Sequence, residues 1–162
     1  MRARVLPIAF AVVCLAAPGV HADITLTQEH SFAARAGATV VIDVSFHEVE
    51  VTARPGDTVD VVVDLEVSGS GSSAKKVMDD LQPKFLEQGN KIIIRSPGKT
   101  GFHWKSSKTR GKVTVQMPPD MDLMIDSSSG SALILGDFGD AKVSFDASSG
   151  SLTVRGAMRE LH

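Results

Sequence analysis

The sequence predicts a mainly β protein, a β-solenoid-like stack of short strands with one short helix, preceded by a signal peptide. Three observations lead to this prediction. Val-rich stretches between residues 24 and 67 alternate apolar with polar side chains, which is typical of strands with one buried face. A twelve-residue unit, IDSSSGSALILG, returns twenty residues later as FDASSGSLTVRG. One segment, SAKKVMDDL, is typical of a short helix, with Ser72 or Ser73 as its N-cap and Pro83 beyond its end.

The first 22 residues have the pattern of a secretory signal peptide. Arg2 and Arg4 precede an apolar run, and the segment ends in Val20-His21-Ala22, with small side chains at the two positions that signal peptidase recognises. The apolar run is too short to span a bilayer core of about 30 Å. We therefore expect cleavage after Ala22, export to the periplasm or cell surface, and a single β-rich domain over residues 23–162.

The composition is that of an ordinary globular domain. The chain has 162 residues, is 43% hydrophobic and carries a formal charge of −2, which becomes −4 when Arg2 and Arg4 leave with the signal peptide. The only cysteine, Cys14, lies in that segment, so we expect no disulfide and no thiol chemistry in the mature domain. Burial and strand pairing must then stabilise it.

Strands and turns can be placed along the first two thirds of the chain. The segments ATVVIDVSF, EVEVTA and DTVDVVVDLEV have strand composition, and RPGD is a turn between the last two. The segment PKFLEQGNKIIIRS is predicted to form a hairpin around Gln88-Gly89-Asn90. A further strand, KVTVQMP, is ended by Pro118 and Pro119.

The repeat predicts neighbouring strands whose residues are paired at an offset of twenty. Gly130 and Gly150 are expected to take positive φ at the turn, which costs glycine nothing. Two copies are few for such a stack, so the Val-rich strands of the first half are expected to supply other layers. We expect four apolar pairs about 4.8 Å apart: Leu123 with Val143, Ile125 with Phe145, Ala132 with Leu152, and Ile134 with Val154.

A third copy of the repeat begins at GAMRELH and stops after seven residues. Either the natural domain continues, so that this chain is truncated at its C-terminus, or the open edge of the last layer is covered by another chain. Unpaired strand edges invite pairing, so self-association through this edge is one predicted mode of binding.

Taken in order, these segments resemble the bacterial putative-adhesin domain family, exported envelope proteins with repeated Ser-Gly turns and a β-solenoid-like fold. The resemblance starts near Phe32 with FAARAGATVVIDVSFHEVEV and is most specific in the Pro-Pro segment and the repeat that follows it. Where the family usually has Asp after Ser-Gly, this chain has Ser131 and Ser151. The resemblance implies an exported binding protein and brings no catalytic residues.

Asp126 and Asp146 are the candidate metal ligands. The repeat places them on the outward face about 5 Å apart, close enough for two carboxylates to repel each other. They could share a shallow Ca²⁺ site, or each could cap its own turn. The sequence has no zinc spacing of His or Cys and no phosphate-binding glycine loop, so no cofactor is predicted.

Residues 97–112 form the one strongly basic segment, with five Lys or Arg and no acid. Cations beside an exposed Trp suit an acidic glycan, an anionic lipid headgroup or another envelope protein, whereas the alternative is a solvated hairpin tip. We expect no nucleic-acid partner for an exported protein, and no transmembrane segment after signal cleavage. The candidate binding residues are Lys99, Phe102, His103, Trp104, Lys105, Lys108 and Arg110.

Three classes of function follow from this pattern. The first is a non-enzymatic envelope protein, an adhesin or scaffold that binds through its solenoid surface. The second is a polysaccharide-acting enzyme on a β-solenoid, which would need an acid–base pair that the outward positions of the repeat do not offer. The third is a module that assembles end to end. The sequence favours the first class.

Overall fold

The computed structural model describes residues 23–69, 71–96 and 108–161. These residues are mainly β, as the sequence predicts. The elements in chain order are β1 (Ile24–Ala33), β2 (Thr39–Val44), β3 (Glu48–Ala53), β4 (Thr58–Val67), α1 (Ser72–Leu81), β5 (Lys84–Gln88), β6 (Lys91–Arg95), β7 (Thr109–Met117), β8 (Asp122–Ser127), β9 (Ala132–Leu135), β10 (Gly139–Ala147), β11 (Leu152–Arg155) and β12 (Met158–Leu161).

The strands form two six-stranded mixed sheets. Sheet A has the order β1-β4-β7-β3-β9-β11, and sheet B has the order β12-β10-β8-β2-β6-β5. Apolar side chains from both sheets meet in one buried cluster. Along β4, residues 59, 61, 63, 65 and 67 are buried while the residues between them are more exposed, which is the alternation that a strand with one core face requires.

The twenty-residue pairing predicted from the repeat is confirmed. β8 and β10 are parallel, with Leu123 opposite Val143 and Ile125 opposite Phe145. β9 and β11 are parallel in the same way and pair Ala132 with Leu152 and Ile134 with Val154. The earlier strands do supply a further layer, since β2 pairs with β8 and β3 pairs with β9, all parallel.

Two aspartates also link neighbouring layers. The Lys142 amide donates to Oδ1 of Asp122 at 2.9 Å, and the Ala157 amide donates to Oδ1 of Asp137 at 2.7 Å. Each bond joins the side chain of one copy to the backbone twenty residues later. The two copies are therefore held in register by side chains as well as by strand pairing.

Antiparallel pairs complete each sheet and depart from a uniform stack. β4 pairs antiparallel with both β1 and β7, and β5 pairs antiparallel with β6. The β5–β6 pair is the predicted hairpin, and Gly89 allows its tight turn by taking a φ of 59°. A solenoid arrangement of the whole chain stays a prediction.

The predicted helix is present, but its N-cap is not a serine. Gly71 occupies that position with a φ of 84°, and no side chain caps the helix. The positive φ of Gly71 is one that a serine at the N-cap position could adopt only with strain. The helix buries Ala74, Met78 and Leu81 and packs against β1 and β4. Within the described ranges, no helix is long and apolar enough to cross a membrane.

Candidate functional site

Three stacked turns carry the chain from sheet B to sheet A and form one corner of the molecule. They comprise residues 45–47, 128–130 and 148–150. Backbone bonds stack them: the Ser129 amide donates to the Ser45 carbonyl at 2.8 Å, and the Ser149 amide donates to the Ser128 carbonyl at 3.1 Å. The corner is therefore a continuation of the parallel ladders.

The expectation of positive φ at Gly130 and Gly150 is wrong, because both have ordinary negative or extended backbone. Close approach explains the glycines instead. A Cβ on Gly130 would overlap the carbonyl oxygen of His47, and a Cβ on Gly150 would overlap the carbonyl oxygen of Gly130. Adjacent layers can stack this tightly only where the side chain is a hydrogen atom.

His47 occupies the same corner in the first layer and is completely buried. Its ring lies against the α-carbon of Gly111 and stacks on Phe46 with 4.3 Å between ring centroids. In the described part of the chain, neither ring nitrogen has a hydrogen-bond partner. Burial disfavours the charged imidazolium and lowers the pKa of His47 to about 4.

A groove of about 590 Å³ lies beside this corner. It forms because β7 and its neighbours β4 and β1 extend beyond the start of β3, where Glu48 pairs with Lys112. Hydroxyls, carboxylates and cations share the lining with a few apolar side chains, which suits a polar ligand. The lining residues are Thr25, Leu26, Thr27, Phe46, Glu48, Asp64, Leu65, Glu66, Thr109, Arg110, Gly111 and Lys112.

The two cations of the groove differ in how firmly they are held. Lys112 Nζ lies 2.8 Å from a Glu50 carboxylate oxygen, and this hydrogen bond raises the pKa of Lys112. Arg110 lies 3.9 Å from Glu66, and its side chain is 82% exposed. Such a long and exposed ion pair contributes little to stability. Arg110 is therefore the cation that a ligand can recruit.

The structure reaches only part of the predicted binding segment. Lys99, Phe102, His103, Trp104 and Lys105 lie outside the described residues. Lys108 is exposed just before β7, and Arg110 belongs to β7 and lines the groove. Of the basic segment, residues 109–112 therefore line the groove.

The structure places the two candidate metal ligands in register. Asp126 is opposite Asp146, and Asp43 is opposite Asp126 on the other side. Arg95 donates to Asp43 at 2.7 Å. Over the described residues, no three or more His, Cys, Asp or Glu side chains are grouped as a metal site would need. Calcium binding by Asp126 and Asp146 stays a prediction, which thermal melting in millimolar calcium would check.

A serine rather than an aspartate caps the turn of the first copy. The Gly130 amide donates to Oγ of Ser127 at 3.0 Å, and Ser127 is buried. The second copy has Ala147 at the equivalent position, so this bond is not repeated. Comparing the two copies suggests Asp126 and Asp146 as the capping residues, because aspartate occurs at this position in both copies. The residue that does cap the turn, Ser127, is replaced by alanine in the second copy and is therefore not found by such a comparison.

Sequence reasoning missed the groove and the buried histidine. Two local signals were available. The segment TRGKVTV has a glycine inside a strand, which often marks a close approach by another group, and His47 makes that approach. The segment VSFHEV forms the turn of the first layer, as SSSGS does in the second. Aligning β3 with β9 in the sequence would have placed His47 beside Gly130.

Comparison with known proteins finds distant structural likenesses and no matching family. No family model and no curated protein matches the chain. A putative cell adhesion protein from Clostridium sporogenes is 9% identical with a TM-score of 0.48, and the match covers 80% of this chain and 68% of that one. A putative adhesin from Parabacteroides merdae is 8% identical with a TM-score of 0.42, over 79% of this chain and 52% of that one.

A putative lipid binding protein from Parabacteroides distasonis is 10% identical with a TM-score of 0.37, over 80% of this chain and 51% of that one. The chain therefore spans about half the length of the two Parabacteroides proteins. At these identities and TM-scores, the likenesses carry no weight for function. The groove and its charges must support any functional proposal.

Proposed function

We propose that this protein is an exported, non-enzymatic protein of the cell envelope that binds an acidic saccharide. The ligand lies in the groove of sheet A and extends toward the basic segment, residues 97–112. The signal-peptide pattern supports export to the periplasm or cell surface. The protein then acts as an adhesin or binding module through the surface of its stacked strands.

The observation that carries this proposal is the position of Arg110. Its exposed guanidinium stands at the groove and only loosely faces Glu66. A guanidinium offers two parallel donors to a carboxylate, which makes arginine well suited to an acidic sugar. Lys108 lies just before the same strand, and the sequence has two more lysines between it and residue 97. These cations also attract an anionic ligand before contact.

The rest of the groove suits hydroxyl groups. Thr25 and Thr27 offer hydroxyls on β1, and Asp64 and Glu66 offer carboxylates on β4. Carboxylates accept hydrogen bonds from sugar hydroxyls, and threonines can both donate and accept. A volume near 590 Å³ lies within the range of about 300–1,000 Å³ that small-molecule sites occupy.

The same contacts favour binding over hydrolysis. Oδ1 of Asp64 already accepts the Thr27 hydroxyl at 2.7 Å, and Glu66 faces Arg110. A glycosidase needs one carboxyl that keeps its proton and a second that acts on the opposite face of the bond. Of the three groove carboxylates, Glu48, Asp64 and Glu66, Asp64 is thus already engaged by a neighbouring hydroxyl, and Glu66 shares its surroundings with a cation.

Titration of the mature protein with polygalacturonate tests the proposal. Trp104 is the only tryptophan of the chain and reports on the basic segment, while calorimetry reports on total binding. We expect saturable, salt-sensitive binding and none to neutral dextran. Arg110→Gln should weaken binding roughly tenfold, as expected for loss of a charged hydrogen bond. Arg155→Gln removes an exposed cation of β11, outside the groove, and should leave binding unchanged.

Each other outcome has a defined meaning. Equal affinity of the wild type and Arg110→Gln would show that the saccharide does not bind in the groove. Binding to phosphatidylglycerol vesicles but not to polygalacturonate would identify an anionic headgroup as the ligand. New reducing ends or unsaturated products would show that the protein is an enzyme.

A further inference from the structure

Four apolar side chains form a row across the outer face of sheet B. Strand register places them side by side: Leu86 opposite Ile93, Ile93 opposite Val41, and Val41 opposite Met124. The next residue along each strand points to the opposite face, as Ile94 does when it enters the core. We call Leu86, Ile93, Val41 and Met124 the apolar row.

The apolar row is uncovered at both of its ends. Leu86 and Met124 are each 44% exposed, and they are two of the three large apolar side chains that are exposed among the described residues. Between them Ile93 is only 6% exposed and Val41 is half-buried, so the row presents mainly its two end side chains to a partner. Scattered single apolar residues are normal on a protein surface, but two exposed apolar side chains joined by an apolar row across four strands indicate an interaction surface.

A charged row runs beside the apolar row, two residues further along each strand. It is positive on β5 and β6 and negative on β2, β8 and β10, with an ion pair of 2.7 Å between Arg95 on β6 and Asp43 on β2. A partner of a single sign would complement only half of it. Across the sheet, its members are Lys84, Arg95, Asp43, Asp126 and Asp146.

We propose that a second copy of this chain covers the apolar row. The outer faces of the two B sheets meet around a two-fold axis that runs parallel to the strands and over β2. This axis reverses the strand order, so Lys84 faces the partner's Asp146, and Arg95 faces the partner's Asp126. Met124 then lies over β6 of the partner, beside the largely buried Ile93. Because a two-fold interface is self-complementary, each of these contacts occurs twice. Asp43 lies opposite its own copy, and the ion pair of each Asp43 with Arg95 at 2.7 Å offsets this like charge.

The row on the other side of the apolar row has compatible charges. Lys91 lies on β6 and Asp122 lies two strands away on β8, opposite each other across Thr39. The same axis brings Lys91 opposite the partner's Asp122. The patch spans only five strands at about 4.8 Å spacing, so it is smaller than a permanent interface. We therefore expect a dimer that dissociates on dilution.

Sedimentation velocity of the mature protein over a concentration series tests the dimer. We expect the wild type to move from monomer to dimer as its concentration rises toward the millimolar range. Met124→Asp should lower the association constant at least roughly tenfold, as truncation of a central apolar contact does. Val62→Asp places the same charge on the outer face of sheet A and should leave association unchanged. Thermal melts of both variants confirm folding.

Charge reversal tests the two-fold arrangement itself. Lys84→Glu and Asp146→Lys should each weaken the dimer, and the variant that carries both should regain most of the wild-type association. A double variant that associates more weakly than either single one would overturn the arrangement, as would single variants without effect. A monomer at every concentration, or association unchanged in Met124→Asp, would overturn the dimer.

The dimer and the saccharide groove can fail independently, because they lie on different sheets. Polygalacturonate binding should be the same in Met124→Asp as in the wild type. Association should likewise be the same in Arg110→Gln as in the wild type.

Discussion

Lowering the pH is expected to destabilise this fold through His47. The imidazole is completely buried, and in the described part of the chain neither ring nitrogen has a hydrogen-bond partner. Burial lowers its pKa from 6.5 to about 4. The unfolded chain therefore takes up a proton at a higher pH than the folded chain does.

The sign and size of the effect follow from these two values. Above the unfolded pKa of 6.5, His47 is neutral in both states and contributes no pH dependence. As the pH falls toward 4, only the unfolded state gains the proton, so stability is lost through this window. The full loss is about 3 kcal/mol, of which about 2 kcal/mol is lost by about pH 5. For a domain of this size, 2 kcal/mol corresponds to a fall in Tm of about 4–8 °C.

The assay compares two variants with the wild type. Thermal unfolding is followed by circular dichroism between about pH 7 and pH 4 for the wild type, His47→Met and His30→Gln. His47→Met removes the buried imidazole and should flatten the profile by about 2 kcal/mol at about pH 5. His30→Gln removes the histidine that stacks on Phe85 at 5.1 Å but keeps His47, so it should retain the wild-type profile.

Carboxylates also titrate below about pH 5, but they are common to all three proteins and cancel in the comparison. Equal slopes for His47→Met and the wild type would refute the reasoning. A flatter profile in His30→Gln would assign the effect to the wrong histidine.

Two further predictions concern the stacked corner. Gly130→Ala should lower the free energy of unfolding by roughly 2–3 kcal/mol, because the new Cβ would overlap the backbone carbonyl of His47. Gly56→Ala is the control, since a Cβ there meets nothing within 4 Å. Equal melting temperatures for the two variants would contradict the close approach. Ser127→Ala should lower the free energy of unfolding, measured in urea, by about 1–2 kcal/mol, because the buried Gly130 amide loses its acceptor. Ser148→Ala changes an exposed serine of the same corner and should leave this free energy unchanged. A larger loss from Ser148→Ala would show that the corner is held differently.

Much of the fold can be predicted because its signals are local or repeat at a fixed interval. Alternation along β4 predicts which face is buried, and the offset of twenty predicts that Ile125 pairs with Phe145. Both predictions depend only on the periodicity of strands. The N-cap of α1 was predicted less well, because Ser72 is a common capping residue but Gly71 supplies the left-handed conformation that the chain needs there.

The groove and the apolar row could not be predicted, because they depend on which strands become neighbours. Arg110, Glu66 and Thr25 are far apart in sequence and meet only because β4 pairs with both β1 and β7. Val41 and Met124 are each unremarkable in their own strands. The sequence has no repeat in this region, so nothing in it specifies the pairing.

The aspartate bonds between layers have a consequence for insertions and deletions. Asp122 and Asp137 each reach a backbone amide twenty residues later, so the spacing between the copies is fixed by bonds at two points. Adding one residue between Asp122 and Ile134 would lengthen the interval from Asp122 to Lys142 to twenty-one and break the first bond, and it would turn Ile134 and its neighbours to the opposite face of the strand. Changes in length within this part of the chain should therefore survive only in steps of a whole copy.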